Sequence, residues 1–276
     1  MSYKIVSDSS SNVYSAEGVD YSFVPLTVSI GDKEYADTPE ADTCEIVNIL
    51  KTTKEETHTS CPNIADWQKA FSDADNVFAV TITSGLSGSY SSAINAKKLC
   101  EESNKAANIH VIDSLSAGPE LQLIIEKLKE LIDEKLPFEK IKEKIEEYKK
   151  RTRLFFCLES LTNFARNGRV SPALAQIVGL LGIRIVGTAS SVGTLEPLSK
   201  PRGDKKALKS LFDHIKKAGF KGGKVRIAHC ENRPFANDLR NLLLSEFPTS
   251  DIRISPCGVL CSYYAEAGGL LVAIES

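Results

Sequence analysis

Residues 77–90 read Val77-Phe78-Ala79-Val80-Thr81-Ile82-Thr83-Ser84-Gly85-Leu86-Ser87-Gly88-Ser89-Tyr90, and this stretch decides the fold. A β-branched apolar run, 77–82, stops abruptly at small hydroxyl residues and glycine. A segment of helical composition, 90–100, follows, so the pattern is strand, tight turn, helix. Glycine lets the backbone of such a turn bend close to a guest. The hydroxyls of Ser84, Ser87 and Ser89 are donors, and the first amides of the helix point outward with partial positive charge. Together they suit a small anionic oxygen group, a carboxylate or a phosphate. Ordinary helix capping uses the same residues and stands as the alternative.

Similar junctions occur at Ile5-Val6-Ser7-Asp8-Ser9-Ser10-Ser11 and at Val111-Ile112-Asp113-Ser114-Leu115-Ser116-Ala117-Gly118. Parallel strands joined by helical crossovers bring such ends to one edge of a sheet, where ligands bind. Outward from these turns, strands are expected at 4–7, 23–28, 77–82 and 110–113. Helices are expected at 44–52, 64–73, 90–100 and 119–134. This βαβ rhythm predicts a parallel sheet with helices on both faces. Residues 28–35 read as a small hairpin with Gly31-Asp32 at its turn. Residues 121–151 interleave Lys and Glu with Leu and Ile at helical spacing, and Pro137 divides them into two helices.

The texture changes at Arg153. Strands are expected at 154–158, 182–187, 194–198, 225–230, 251–255 and 268–274. Helices are expected from Ser171-Pro172 onward, at 204–218 and at 234–246. The chain is therefore read as two α/β domains, 1–152 with a parallel sheet and 153–276 with a mixed sheet.

With 276 residues, 42% hydrophobic and 25% charged, the chain can bury a substantial core. A formal net charge of −2 argues against a nucleic-acid partner. No apolar run reaches the roughly 20 residues of a membrane span. The N-terminus runs straight into a strand, without the apolar stretch of a signal peptide, so a cytoplasmic location is expected. Seven scattered cysteines, without a CxxC pair, favour neither a disulfide framework nor zinc. Of the histidines, His110 reads as structural and His214 as solvated; His58 and His229 lie near strand ends and are the two to watch.

Two further segments carry chemistry. Thr59-Ser60-Cys61-Pro62-Asn63 is a hydroxyl-rich turn before a helix, with Thr59 and Ser60 able to donate to the same guest as Ser87; capping explains it equally well. In 161–172, Arg166 and Arg169 sit on a glycine-containing loop before a helix start, which suits phosphate or carboxylate recognition. A solvated loop is the alternative.

The ordered set of motifs resembles the DegV family, bacterial fatty-acid-binding proteins that serve a fatty acid kinase. Ser7-Asp8-Ser9 is similar to its Thr-Asp-Ser. Thr59-Ser60-Cys61-Pro62-Asn63 is similar to its Thr-Ser-Gln-Pro-Ser. Thr83 to Tyr90 resembles its Ser-Ser-x-Leu-Ser-Gly-Thr-Tyr. Asp113-Ser114 followed by Gly118 fits its Asp-Ser-x-x-x-Gly. Leu161 to Ser171 and Arg202 to Leu208 resemble its Leu-x-x-Leu-x-x-Gly-Gly-Arg-Ile-Ser and Arg-x-x-Lys-Lys-Ala.

The resemblance implies a long-chain fatty acid in a tunnel between the two domains. It places the carboxylate on Ser87, the Gly88 amide and Thr59, with Ser60, Ser84 and Tyr263 in the same site. It puts Arg169 and Arg202 on the surface that meets an ATP-dependent fatty acid kinase. The kinase would supply ATP and metal; this chain would present substrate, with no cofactor or metal of its own and no chemistry alone. Tyr263 stands where the family carries His, Glu266 where it carries Pro, and Asn167 where it carries the first Gly of Gly-Gly-Arg. Two competing readings are an enzyme using the Ser87 turn with Glu266 or His229 as base, and a sugar-phosphate or nucleotide binder. The first lacks a Gly-x-Ser-x-Gly elbow; the second lacks Walker A and GxGxxG motifs.

Overall fold

The structure is a computed structural model that describes residues 2–104, 107–177 and 182–276. Its first sheet is parallel throughout, with β1 (Tyr3–Asp8), β2 (Asp20–Val24), β6 (Asn76–Thr81) and β7 (Asn108–Asp113) in the order β2-β1-β6-β7. β6 is buried at every position, as expected of a central strand covered on both faces. One face packs on α2 (Ile64–Phe71) and α3 (Ser89–Ser103), the other on α4 (Pro119–Asp133) and α5 (Phe138–Lys149).

The expected strand at 23–28 is two strands in two sheets. Pro25 cannot donate to a ladder, so β2 ends at Val24. The chain turns there, with the Leu26 amide donating to Ser9 Oγ at 3.0 Å. It resumes as β3 (Thr27–Ile30), which pairs antiparallel with β4 (Lys33–Ala36) in the expected hairpin. It also pairs antiparallel with β5 (Thr57–Ser60). The segment read as a hydroxyl-rich turn at Thr59 and Ser60 is thus the end of a strand. Helix α1 (Thr43–Thr52) links β4 to β5.

From β8 (Thr152–Leu158) onward every strand enters a mixed sheet. β9 (Ile185–Ala189), β10 (Leu195–Ser199), β11 (Lys224–His229), β12 (Asp251–Pro256) and β13 (Leu270–Glu275) complete it in the order β10-β9-β8-β13-β11-β12. Only β11 and β12 run parallel. β9 starts at Ile185 rather than residue 182, because Ile183 is held in an isolated bridge to Arg202. Helices α8 (Asp204–Lys217) and α9 (Arg233–Glu246) pack on this sheet. Three shorter helices complete the described chain: α6 (Thr162–Arg166), α7 (Pro172–Ile177) and α10 (Val259–Ala265). α6 and α10 were not expected from the sequence.

Helix α4 joins the halves. Its buried stripe is wide, with Leu121, Leu123, Ile124, Ile125, Leu128 and Leu131 all covered, while Gln122, Glu126, Lys129 and Asp133 mark a polar edge. A helix of that kind must be covered on more than one side, and α4 lies between β1 and β6 of one sheet and β8, β11 and β13 of the other. Its polar edge meets Arg226, which is 1% exposed. Glu126 accepts from Arg226 Nε at 2.8 Å and Nη2 at 2.7 Å; Asp251 accepts at 2.8 Å. The Asp251 and Val225 carbonyls take the remaining Nη1 donors.

Removing one member of such a buried pair leaves an uncompensated charge, at a cost of about 3–5 kcal/mol. Arg226→Ala should therefore lower the urea midpoint strongly, and Glu126→Ala combined with it should add much less than it does alone. Strict additivity of the two would show that the pair does not couple the sheets.

A second buried carboxylate shapes the edge that carries the turns. Asp8, fully buried at the end of β1, accepts from the Ile82 amide at 2.8 Å, from Ser89 Oγ at 2.7 Å and from Ser10 Oγ. Burial pushes its carboxyl from 3.8 up to about 6, against those hydrogen bonds. Between these values the unfolded chain has released the proton and the folded chain has not. The contribution is therefore full below pH 4 and lost as pH rises through about 6. Relative to Asp8→Asn, the wild type should lose roughly 2–3 kcal/mol of unfolding free energy between pH 4 and 7. A stability difference that stays flat with pH would overturn this account of Asp8.

Candidate functional site

A cavity of ≈ 320 Å³ lies where the carboxyl edge of the parallel sheet faces β8, β9, β13 and α10. Its wall is mainly apolar, built from side chains such as Leu26, Ile82, Leu86, Phe156, Leu260 and Leu271. Its polar lining includes Thr59 and Ser60 at the end of β5, Ser87 and Gly88 at the start of α3, and Arg169, together with Thr83, Ser116, Thr188 and Thr194.

The local chemistry of the α3 end follows from the sequence. Gly88 is the N-cap, and no side chain caps it, so the leading amides lie outside the helical ladder. Ser87 Oγ accepts from the Ser89 amide at 3.2 Å. Its own proton remains available, and accepting one bond strengthens the next it donates. A Cβ on Gly88 would stand 3.2 Å from Cys61 Sγ, so any larger residue there would have to push the Cys61 thiol aside. Asp8 fixes the turn from below through Ser89 and Ile82. Asp113 fixes it from the side, accepting from the amides of Ser84 at 3.1 Å and Leu115 at 3.0 Å. The anionic groups of this edge thus serve the backbone and leave neutral hydroxyls and amides facing the cavity.

The structure gathers Thr59, Ser60, Ser87, Gly88 and Arg169 around the cavity. Ser84 is exposed and does not line it, because Asp113 turns its amide outward. Tyr263 does not line it either. It is wholly buried, with its hydroxyl paired to Thr57 Oγ1 at 2.7 Å and accepting from Asn167 Nδ2 at 2.7 Å. The next residue, Tyr264, faces the cavity instead, its hydroxyl 2.8 Å from Thr59 Oγ1 and its ring 4.7 Å from that of Phe164. Burial raises the Tyr264 phenol above its ordinary range, so it is a neutral donor.

Arg169, expected on an outer surface, is half-buried at the cavity. Its Nε donates to the Leu86 carbonyl at 3.2 Å, and Nη1 donates to the Asn167 carbonyl. Arg202 is exposed. Glu266 and His229, the bases considered for an enzyme, do not line the cavity. Glu266 accepts from the Asn163 amide at 3.1 Å. Burial pushes the His229 imidazole below its ordinary range, and its Nδ1 accepts from the Asn232 amide. His110 is paired with Glu146 at 3.3 Å. Among the described residues no group of three His, Cys, Asp or Glu side chains is placed to hold a metal, and no helix is long and apolar enough to cross a membrane.

Three departures from the expected motifs meet in one place. Asn167 bonds to Tyr263, and Glu266 bonds to Asn163, whose own Nδ2 donates to the Tyr263 carbonyl at 2.8 Å. Asn167 and Tyr263 thus satisfy each other behind the cavity wall, and Glu266 is held by the Asn163 amide. Sequence reasoning missed Tyr264, Leu260 and Cys261 because α10 went unread. The signal was there: Gly258 precedes apolar residues at 259, 260 and 263, one face of a helical turn.

The family model described as "Uncharacterised protein, DegV family" matches residues 2–276. A DegV domain-containing protein of Streptococcus pneumoniae is 41% identical over 279 residues, covering 100% of this chain and 99% of the relative. Among solved structures, a DegV family protein from Eubacterium eligens loaded with heptadecanoic acid superposes with a TM-score of 0.97 at 41% identity, covering 100% of both chains. The Streptococcus pneumoniae fatty acid kinase (Fak) B3 protein loaded with linoleic acid gives the same TM-score of 0.97 and 41% identity, covering 100% of this chain and 99% of that one. A DegV family protein from Ruminococcus gnavus, refined with vaccenic acid, gives 0.91 at 29% identity over 99% of this chain and 100% of that one. This chain belongs to the DegV family.

Proposed function

We propose that the protein binds a long-chain fatty acid between its two α/β units, 1–152 and 153–276, and presents the carboxylate to a separate ATP-dependent kinase. The observation that carries this is the cavity itself. A mainly apolar chamber of ≈ 320 Å³ presents neutral donors, Ser87 and the Gly88 amide, at the N-terminus of a 15-residue helix, with Arg169 beside them. An acyl chain gains about 0.8 kcal/mol for each methylene removed from water. The hydroxyls of Ser87, Thr59 and Ser60 and the Gly88 amide hold the carboxylate. Tyr264, through Thr59, takes the place expected for Tyr263. The fatty acids carried by the Eubacterium eligens and Streptococcus pneumoniae relatives support the ligand class.

Hydroxyls and amides hold a carboxylate without neutralising it, so its oxygen keeps the basicity that attack on a phosphoryl group requires. Arg169, braced by the Leu86 carbonyl, stands beside the same turn and suits the phosphate of an incoming nucleotide or the acyl phosphate formed. Arg202, exposed and remote from the cavity lining, belongs to the kinase-facing surface in this reading. The protein itself supplies no nucleophile, base or metal to the transfer. Glu266 and His229 are committed elsewhere, which removes the support for the enzyme reading.

Native mass spectrometry of freshly purified protein tests the ligand class. A mass excess equal to a fatty acid, lost on denaturation, is the expected result. A bare chain that stays bare after incubation with mixed fatty acids would sink the proposal. Ser87→Ala should weaken fatty acid binding by about 1–3 kcal/mol, the cost of leaving a charged acceptor short of a donor. Arg202→Ala should leave that affinity unchanged while reducing kinase-dependent phosphorylation of the bound acid. Equal loss of affinity in both variants would show that the roles are wrongly divided.

A further inference from the structure

Behind the acyl cavity lies a second and larger cleft of ≈ 990 Å³. It opens between the C-terminal ends of α5 and α8, with β8 and the β9–β10 hairpin as its floor and far wall. Leu154, Thr188 and Ala189 line both spaces, so they form the partition between them. Thr188 seals it by donating to the Leu154 carbonyl at 2.6 Å.

The charge of this cleft runs against that of the chain, whose net charge is −2. Lys149, Lys150, Arg153 and Lys217 line it. Lys149 is paired with Glu146 at 3.0 Å. Lys150, Arg153 and Lys217 are exposed and have no carboxylate partner among the described ion pairs. Of the facing acids, Glu146 is already shared between Lys149 and His110. Glu120 is buried, held by Ser116 and Thr152, and burial favours its neutral form. Glu196 is the exposed acid among them, and Arg153 also acts on buried Glu120 from a distance. Position at helix C-termini accounts for Lys150 and Lys217, but not for Arg153, which sits on a strand.

The same cleft also shows water some hydrocarbon. Leu115 and Leu198, 38% and 37% exposed, are among the few exposed large apolar side chains, and both border it, with Leu154 on the floor. The hydroxyls of Ser114 and Ser190 are already used in local turns. What remains on offer is three cations and the apolar side chains of Leu115 and Leu198, beside the Ser191 hydroxyl, His214 and the Glu196 carboxylate. Clefts between domains are preferred ligand sites.

We propose that this cleft is a second, outer site for a single-chain anionic amphiphile. Its head group, a carboxylate or a phosphate monoester, lies against Lys150, Arg153 and Lys217, and its chain lies along Leu115, Leu154 and Leu198. The proposal stands on the cleft alone and does not need the inner cavity to hold a fatty acid.

The test is calorimetric titration of the full chain, saturated beforehand with linoleate, using decyl phosphate, decanoate, decanol and inorganic phosphate as separate probes. Decyl phosphate or decanoate should bind at one further site, and the stronger of the two names the head group. Arg153→Glu with Lys217→Glu should weaken that binding by about tenfold or more, the loss expected for charge-assisted contacts, while the linoleate content stays unchanged. Arg153→Lys should retain most of it. Binding that ignores the charge reversal, binding of decanol as tight as that of decyl phosphate, or binding of inorganic phosphate as tight as that of decyl phosphate would each overturn the assignment. So would the absence of binding by both anionic probes. If the chain takes up no linoleate at all, the function proposed for the inner cavity fails, and the titration of the outer cleft still reads on its own.

Discussion

The candidate site depends on one buried carboxylate. Asp8 ends β1, yet its Oδ2 alone holds two groups far away in sequence, the amide that follows β6 at Ile82 and the hydroxyl of Ser89, the first residue of α3, while Oδ1 accepts from nearby Ser10. A buried carboxylate is costly unless hydrogen bonds replace its water, and here the replacements are the elements that shape the turn. Strand order, turn and helix start are thereby fixed relative to one another. The donors of Ser87 and Gly88 are set in place before any ligand arrives, which lowers the ordering cost of binding.

Much of this was legible because local rules and tertiary structure agree along the first half. The fully buried β6, followed within a few residues by Ser84 and Gly85, reads as a buried parallel strand meeting a helix start, and it is one. β1 and β7 are likewise parallel strands that end at Asp-Ser, but β1 runs into a short turn and loop, and β7 reaches α4 only through a turn. Legibility failed where a long-range partner overrode the local pattern. Residues 23–28 have strand composition throughout, but Pro25 and the Ser9 hydroxyl divide them between two sheets. Thr59 and Ser60 look like capping residues, and only pairing with β3 makes them the end of a strand.

The site itself was legible on one side only. Thr59, Ser60, Ser87 and Gly88 carry their chemistry in short motifs. The opposite wall is assembled from β8, β9, β13 and α10, whose cavity-facing residues are ordinary apolar side chains with no motif of their own. The choice between Tyr263 and Tyr264 shows the limit most clearly. Adjacent residues on a helix point about 100° apart, so one tyrosine enters the interior and the other the cavity. Without recognising α10 there is no basis for knowing which.

The three departures at Asn167, Tyr263 and Glu266 bear on how such a site tolerates change. Each alone would introduce a bulky polar group into a wall between a cavity and a core, where an unpaired donor or acceptor costs about 1–3 kcal/mol. Asn167 and Tyr263 supply each other's side-chain partner, and Glu266 accepts from the Asn163 amide. The tyrosine hydroxyl that reaches the cavity is that of Tyr264, held by Thr59. The polar contacts of Asn167 and Tyr263 thus stay behind the wall, apart from the hydroxyls that line the cavity.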